Sequence, residues 1–207
     1  MGNKLKYPRT LHLPNSPGVS NDDKVLKDLS VLDNKVWIVT EKMDGENTTM
    51  MNDCIYARSL DSNNHPSRNW VKGLWGEISY MISKGTRICG ENLYAKHSIH
   101  YKDLKSYFLV FSIWNQHNVC LSHEHTLEMC EFYNLNMVPI LGIFKGNQIN
   151  IIPNFIKDNM EGVVIRNIDY FHFNDFQENV FKWVRKDHVQ TDNHWSTQPI
   201  IKNELKK

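Results

Sequence analysis

Apolar residues along this chain come mostly in short dense runs separated by polar turns. "KVWIVTE" at 35–41, "RICGENLY" at 87–94, "YFLVFSIW" at 107–114, "MVPILGIF" at 137–144, "QINIIP" at 148–153, "GVVIRN" at 162–167 and "VFKWVRK" at 180–186 are such runs. Rich in β-branched and aromatic residues and only a few residues long, they predict strands. "TTMMNDCIYARS" predicts a hairpin turning at Asn52–Asp53. From Trp70 the period changes: Trp70, Leu74, Ile78 and Met81 recur at helical spacing, with Val71 and Trp75 beside them, so an amphipathic helix runs to Ile82 and Gly85 ends it. "HEHTLEMCEFYNL" predicts a second helix, and "NDDKVLKDL" a short capped one. Residues 1–34 are otherwise polar and turn-rich, with three prolines in "KYPRTLHLPNSPG" and a turn expected at Asn15–Gly18. The tail "STQPIIKNELKK" is polar and expected to fray. With no repeat, low-complexity tract or linker, the pattern describes one α+β domain dominated by strands.

Composition narrows the class. The 207 residues are 41% hydrophobic and 11% aromatic, which suits a packed core rather than disorder. Net charge is +1, so any nucleic acid must be met by a local basic patch rather than a global field. No apolar run is long enough to span a bilayer, no signal-peptide pattern opens the chain, and "MGNKLK" lacks the Ser or Thr of a myristoylation signal. Cys54, Cys89, Cys120 and Cys130 form no C-x-x-C pair and read as reduced, mostly buried thiols of a cytoplasmic protein. The histidines of "HSIHY", "SHEH" and "HVQTDNHW" lack a second ligand pair at a recognised spacing, so structural zinc is not expected.

The chemistry begins where a strand stops behaving like one. "WIVTEKMDGENTTM" runs from buried-type residues into Lys42, flanked by Glu41, Asp44 and Glu46 around Gly45. A charged turn after a strand is the plain reading. Yet charge keeps arriving at strand ends: Arg58 and Ser59 in "ARSLDS", Glu91 in "CGEN", Glu161 before "GVVIR", and Lys182 and Arg185 in "VFKWVRK". Charge beside buried strands must be paired or used.

In this order the motifs resemble the covalent nucleotidyltransferase superfamily of ligases and capping enzymes. "EKMDGEN" is similar to nucleotidyl motif I, "ARS" to Ia, "CGEN" to III, "FLVFSIW" to IIIa, "EGVVIR" to IV and "FKWVRK" to V. DNA ligases and capping guanylyltransferases typically carry K-x-D-G-x-R, whereas Asn47 here resembles ATP-dependent RNA ligases. "YPRTLHLPNSPG" and "ARSLDSNNHPSRNW" also look like a subgroup of small bacterial and viral RNA ligases. The resemblance implies the nucleotidyltransferase (adenylation) fold: two antiparallel β-sheets forming a nucleotide cleft, with short helices outside. Its core motifs cover about 36–186 of a single domain over 1–207, leaving no room for a separate C-terminal domain.

The resemblance also implies a three-step reaction. Lys42 attacks the α-phosphate of ATP to give lysyl-AMP; AMP passes to an RNA 5′-phosphate; a 3′-OH then attacks and AMP leaves. RNA repair is the implied setting, RNA ends are the implied partners, and no obligate protein partner is expected. Lys182 would grip the α-phosphate, with Arg185 replacing a second motif V lysine. Phe111 and Val164 would cover the two faces of adenine, Glu41 would read its edge, and Glu91 would contact the ribose. Arg58 would face the phosphates, while Asn47, Arg58 and Arg68 would meet RNA. Asp44, Glu91 and Glu161 would hold Mg2+, or Mn2+ in its place, through waters. Physical chemistry runs beside this. A lysine of ordinary pKa, about 10.4, is a poor nucleophile at neutral pH. Burial and the neighbouring cations, Lys182, Arg185 and bound Mg2+, are expected to lower that of Lys42, whereas Asp44, Glu91 and Glu161 would work against the drop if bare. "HPSRNWVK" and "KDHVQTDNHW" offer Trp and Arg platforms for RNA. Two departures stand out: Ser112 replaces the Asp usual after the motif IIIa Phe, and motif V reads "KWVR" rather than K-x-K. The other readings are a DNA ligase, a capping-type guanylyltransferase, or a non-catalytic module binding RNA ends.

Overall fold

The computed structural model describes residues 4–186 and 199–207. Twelve strands are present among them: β1 (Leu11–His12), β2 (Val36–Lys42), β3 (Glu46–Met50), β4 (Ile55–Ala57), β5 (Arg87–Asn92), β6 (Phe108–Trp114), β7 (Val119–Cys120), β8 (Asn136–Met137), β9 (Ile140–Lys145), β10 (Gly162–Asn167), β11 (Phe171–His172) and β12 (Val180–Val184). They form two sheets. One has the order β1-β12-β10-β2-β9; the other runs β11-β7-β6-β5-β3-β4, with β8 beside β6. Pairing is antiparallel throughout except for β1 on β12 and β8 on β6. The expected α+β arrangement of two sheets with few helices is therefore the observed one.

Each sheet buries the faces that the apolar runs announced. In the five-stranded sheet Trp37, Val39, Val163, Ile165 and Phe181 pack into a core with Leu13, Leu32 and Ile152. In the seven-stranded sheet Met50, Ile88, Phe108, Val110 and Ile113 meet helix α1 (Asn69–Ile78) through Val71 and Ile78. Trp75 of α1 also donates from its indole to Met51 O, fixing the helix over the hairpin. Helix α2 (His123–Phe132) starts at Ser122, whose hydroxyl accepts from His125 N and so satisfies a free helix-end amide. The β3–β4 hairpin turns where expected, closed by Met51 N donating to Cys54 O. All four cysteines are free thiols, three of them buried.

Three expectations fail for identifiable reasons. "NDDKVLKDL" is not helical, because its acids are engaged elsewhere: Asp22 binds Arg9, and Asp23 binds Ser20 and Lys182. Val25 instead bridges His12, and a 3-10 turn follows at Leu29–Leu32, capped by Asp28. "QINIIP" is a 3-10 segment, Ile149–Phe155, not a strand. That winding puts Ile152 fully inside the core and lays the Phe155 ring where a side chain on Gly142 would stand, 2.6 Å from its Cβ position. The tail does not fray over its described residues: Lys202 and Leu205 bridge Ala95 and Leu104, and Asn203 is 1% exposed.

Candidate active site

A cleft of about 330 Å3 opens between the sheets, within the range of small-molecule sites. Lys42 lies on its wall at the end of β2, paired in register with Gly162 of β10. That register carries Glu161, the residue before Gly162, to the lysine: Nζ donates to both carboxylate oxygens at 2.6 Å. Gly162 has no room for a side chain, since a Cβ would meet Trp183 O at 2.1 Å. The close β10–β12 approach thus sets the site.

Glu91 lines the same cleft from β5, opposite Asn47 of β3. Burial first, then the nearby Glu161 and Asp44, push its carboxyl up to about 8, although Lys42 pulls the other way. Asp44 is tied down: its Oδ2 accepts from Ser98 N and Ile99 N at 2.7 Å, and its own amide donates to Tyr101 Oη. Gly45 is packed too tightly for a side chain, because a Cβ there would meet Asn92 O at 2.6 Å.

The charge state of Lys42 is the one expected beside bare carboxylates. Burial works against its ammonium, but Glu161 first, then Glu91 and Asp44, outweigh burial and raise its pKa above the ordinary lysine value. The expected cation beside it, Lys182, is instead engaged by Asp23 at 3.2 Å. Arg185 is not among the cleft's lining residues; its Nε donates to Met160 O. Lys42 is thus held as a cation until something takes its carboxylates.

Phe111 and Val164 both line the cleft, Phe111 with Tyr7 edge-on at 5.2 Å between centroids. Glu41 lines it too, its carboxyl pKa raised by burial. Ser112, where the family has Asp, is buried and accepts from Trp114 Nε1. Arg58 lines the cleft and an adjoining groove of about 640 Å3, and its Nε donates to Tyr7 O. Asn47 also lines both spaces, and its Oδ1 is buried with no hydrogen-bond partner. Buried acceptors are nearly always paired, so this one is poised for an incoming donor. It makes no cap for the turn at Gly45. Arg68 borders the groove but spends its guanidinium on Glu46, bidentately, and on Asn63 O. "KDHVQTDNHW" lies mostly outside the described residues.

Three oxygen-donor acids around one lysine suit a hard divalent cation. Among the described residues, however, no three acid, His or Cys side chains converge closely enough to ligate a metal together. The arrangement fits a metal held through waters and substrate oxygens.

Sequence reasoning missed Tyr7, Asp23 and Arg166, all on the cleft wall. Arg166 closes an apolar strand as Glu161 opens it, and the same rule could have found it. Nothing in the spacing of Asp23 points to the cleft.

The RNA ligase family model matches residues 35–184. The chain belongs to the RNA ligase family. Its matched span begins just before β2 and ends with β12, so it contains Lys42, Glu91, Glu161 and Lys182 and the strands that place them. No curated protein matches the chain. An archaeal ATP-dependent RNA ligase structure is 16% identical, with a TM-score of 0.58 over 89% of this chain and 50% of that one. A lysine-to-alanine mutant of Naegleria gruberi RNA ligase, solved with ATP and Mn, is 17% identical, with a TM-score of 0.50 over 74% and 50%. A protein described as an ATP-dependent DNA ligase of Aquifex aeolicus is 24% identical, with a TM-score of 0.50 over 74% and 44%. These likenesses show the shared ligase fold. The chain spans about half the length of the structures it matches. No helix among the described residues is long and apolar enough to cross a membrane.

Proposed function

We propose that this protein is an ATP-dependent RNA ligase acting in RNA repair, with Lys42 as its nucleophile. The observation that carries the reading is Lys42 on the wall of a nucleotide-sized cleft, surrounded by three carboxylates, with Lys182 on the same wall. A solvated turn has no use for that enclosure.

Lys42 Nζ forms a bond to the α-phosphorus of ATP while the bond to the pyrophosphate oxygen breaks. The nucleophile must first lose a proton, and Glu161, 2.6 Å away, is the nearest acceptor. Lys182 steadies the α-phosphate, with Phe111 and Val164 against adenine, Glu41 at its edge and Glu91 at the ribose. A divalent cation, Mg2+ or Mn2+, held through waters near Asp44, Glu91 and Glu161, would supply positive charge beside the phosphates. The AMP then passes to an RNA 5′-phosphate, and a 3′-OH displaces it. The groove bordered by Asn47 and Arg58 adjoins the cleft on the side where those ends would enter.

The test is incubation with labelled ATP and, separately, GTP in Mg2+, followed by a denaturing gel. ATP alone should leave a label that survives denaturation and alkali but is released by acid, as a phosphoramidate is, and that is absent from Lys42→Ala and Lys42→Arg, since a guanidinium does not deprotonate. Label from GTP would favour the capping reading. Joining of DNA ends but not RNA ends would favour a DNA ligase, and no label at all would favour a non-catalytic module.

A further inference from the structure

The segment before the nucleotidyl motifs has a built relation to the cleft. Strand β1 lies parallel on β12 with His12 opposite Lys182, and Leu13 N donates to Lys182 O. The chain then loops back, so that His12 N donates to Lys24 O and Leu26 N to His12 O. Ser16 Oγ accepts from Val184 N, and Gly18 is pressed so close that a Cβ would meet Arg185 O at 2.6 Å. This loop delivers Asp23 to the cleft wall beside Lys182.

The carboxylate of Asp23 is aimed by its neighbours. Oδ2 accepts from Ser20 Oγ at 2.7 Å and Ser20 N at 3.1 Å, and lies 3.2 Å from His12 Nε2. His12 Nδ1 is 2.8 Å from Ser16 Oγ, and the ring is wholly buried. Oδ1 is left for Lys182 Nζ, at 3.2 Å. Burial opposes the carboxylate charge, yet the bonds from Ser20 and Lys182 hold its pKa well below the usual carboxylate range. An ordinary surface ion pair would contribute little and fix nothing. Here both partners are largely enclosed, at 14% and 19% side-chain exposure, and the cation faces the cleft.

We infer that Asp23 is a positioning residue for Lys182, so that residues 11–26 belong to the phosphate-handling apparatus. This rests on the reading that Lys182 meets the α-phosphate of ATP. A lysine ammonium is a point charge on a flexible four-carbon stem. Fixed by Asp23, it is already oriented when nucleotide arrives and loses less freedom at the reacting step. The carboxylate yields part of its bond to the phosphate without leaving its own support, Ser20.

The experiment is single-turnover lysine adenylylation with ATP and Mg2+ in a double-mutant cycle, with melting curves. Asp23→Ala should slow adenylylation at saturating ATP by about tenfold or more, with the dissociation constant for ATP within about threefold of wild type. Asp23→Asn keeps an acceptor at Oδ1 and should recover part of the rate. In a Lys182→Met background, Asp23→Ala should change the rate by less than about twofold, because it acts only through the lysine. A further tenfold loss in that background would overturn the inference, as would a rate unchanged in Asp23→Ala. Should Asp23→Ala fail to fold, Asp23→Asn carries the same cycle, with additive losses overturning the inference. Absence of any wild-type adduct would defeat the ligase reading and this inference with it, whereas a wild-type adduct with an indifferent Asp23 would defeat this inference alone.

Discussion

Lys42 and Glu161 form a 2.6 Å ion pair across β2 and β10, fixed by the register that sets Lys42 opposite Gly162. The pair makes the unliganded lysine a stable cation. A lysine raised above its ordinary value keeps the pair's stabilisation at low pH and loses it only as pH rises through the folded value. Glu161→Gln removes the strongest support of that charge. Mass-spectrometric labelling of Lys42 with an amine-specific reagent should therefore begin at lower pH in Glu161→Gln than in wild type. Coincident labelling curves would refute this. The same variant should still bind ATP yet adenylylate slowly, most of all at limiting Mg2+.

Glu91→Gln should separate stability from activity. Between the exposed-glutamate value of 4.5 and about 8, folded Glu91 keeps a proton that the unfolded chain has released. Its contribution to stability is therefore full below that window and lost as pH rises through it. A glutamine carries no such cost. Without nucleotide and metal, the melting temperature of Glu91→Gln should exceed wild type at pH 8, with the gain shrinking toward pH 5, while adenylylation falls. No gain at pH 8 would contradict the burial of a costly charge.

Asn47→Ala should act late in the reaction. Among the described residues its Oδ1 has no hydrogen-bond partner, and Asn47 borders both cleft and groove. Lysyl-AMP should form at a near-normal rate, with a selective loss in joining a pre-adenylated RNA end to a 3′-OH. Equal small losses at every step with a lowered melting temperature would retire the RNA contact.

Arg68→Ala should behave as a structural variant. The guanidinium ties Glu46 of β3 to the Asn63 carbonyl, and both charged side chains are mostly enclosed. Removing it leaves Glu46 unpaired, at a cost of about 2 kcal/mol. A melting temperature equal to wild type, with weakened RNA binding, would instead assign Arg68 to the substrate.

Asn203→Ala should loosen the tail and, through it, Asp44. Asn203 donates to Leu93 O and Ala95 O, accepts from Tyr101 N, and by its backbone meets Tyr94 and Tyr107. The loop it holds supplies the amides of Ser98 and Ile99 to the Asp44 carboxylate. The substitution should cost about 3 kcal/mol, read by denaturant unfolding. A loss below the error of the measurement would mean that the tail is not pinned there.

The sheets were legible because their strands are dense apolar runs, and of the charges beside them Lys42, Arg58, Glu91 and Lys182 line one cleft, with Phe111 and Val164 added by the family resemblance. What escaped was held by partners remote in sequence. β1 has two residues and no apolar signature; only the exposed edge of β12 makes it a strand. Asn203 looks like any polar tail residue until the carbonyls of Leu93 and Ala95 are seen to need a donor. "QINIIP" alternates as a strand would, but Pro153 has no amide to give a sheet, and the segment winds instead. The partner of Lys182 could not be read either, because it is an aspartate from an unrelated stretch.

The parallel seam of β1 on β12 has a consequence for how the molecule comes into being. Ser16 and Val184 are 168 residues apart in the chain. A ribosome must therefore synthesise the chain through Val184 before β1 meets its neighbour. Contacts of such long range close slowly, because the entropy of the intervening loop is lost before they form. Throughout that interval Lys182 and Asp23 are unacquainted, and the cleft is without the wall they form. If the proposed reading holds, competence to handle nucleotide should appear among the last events of folding.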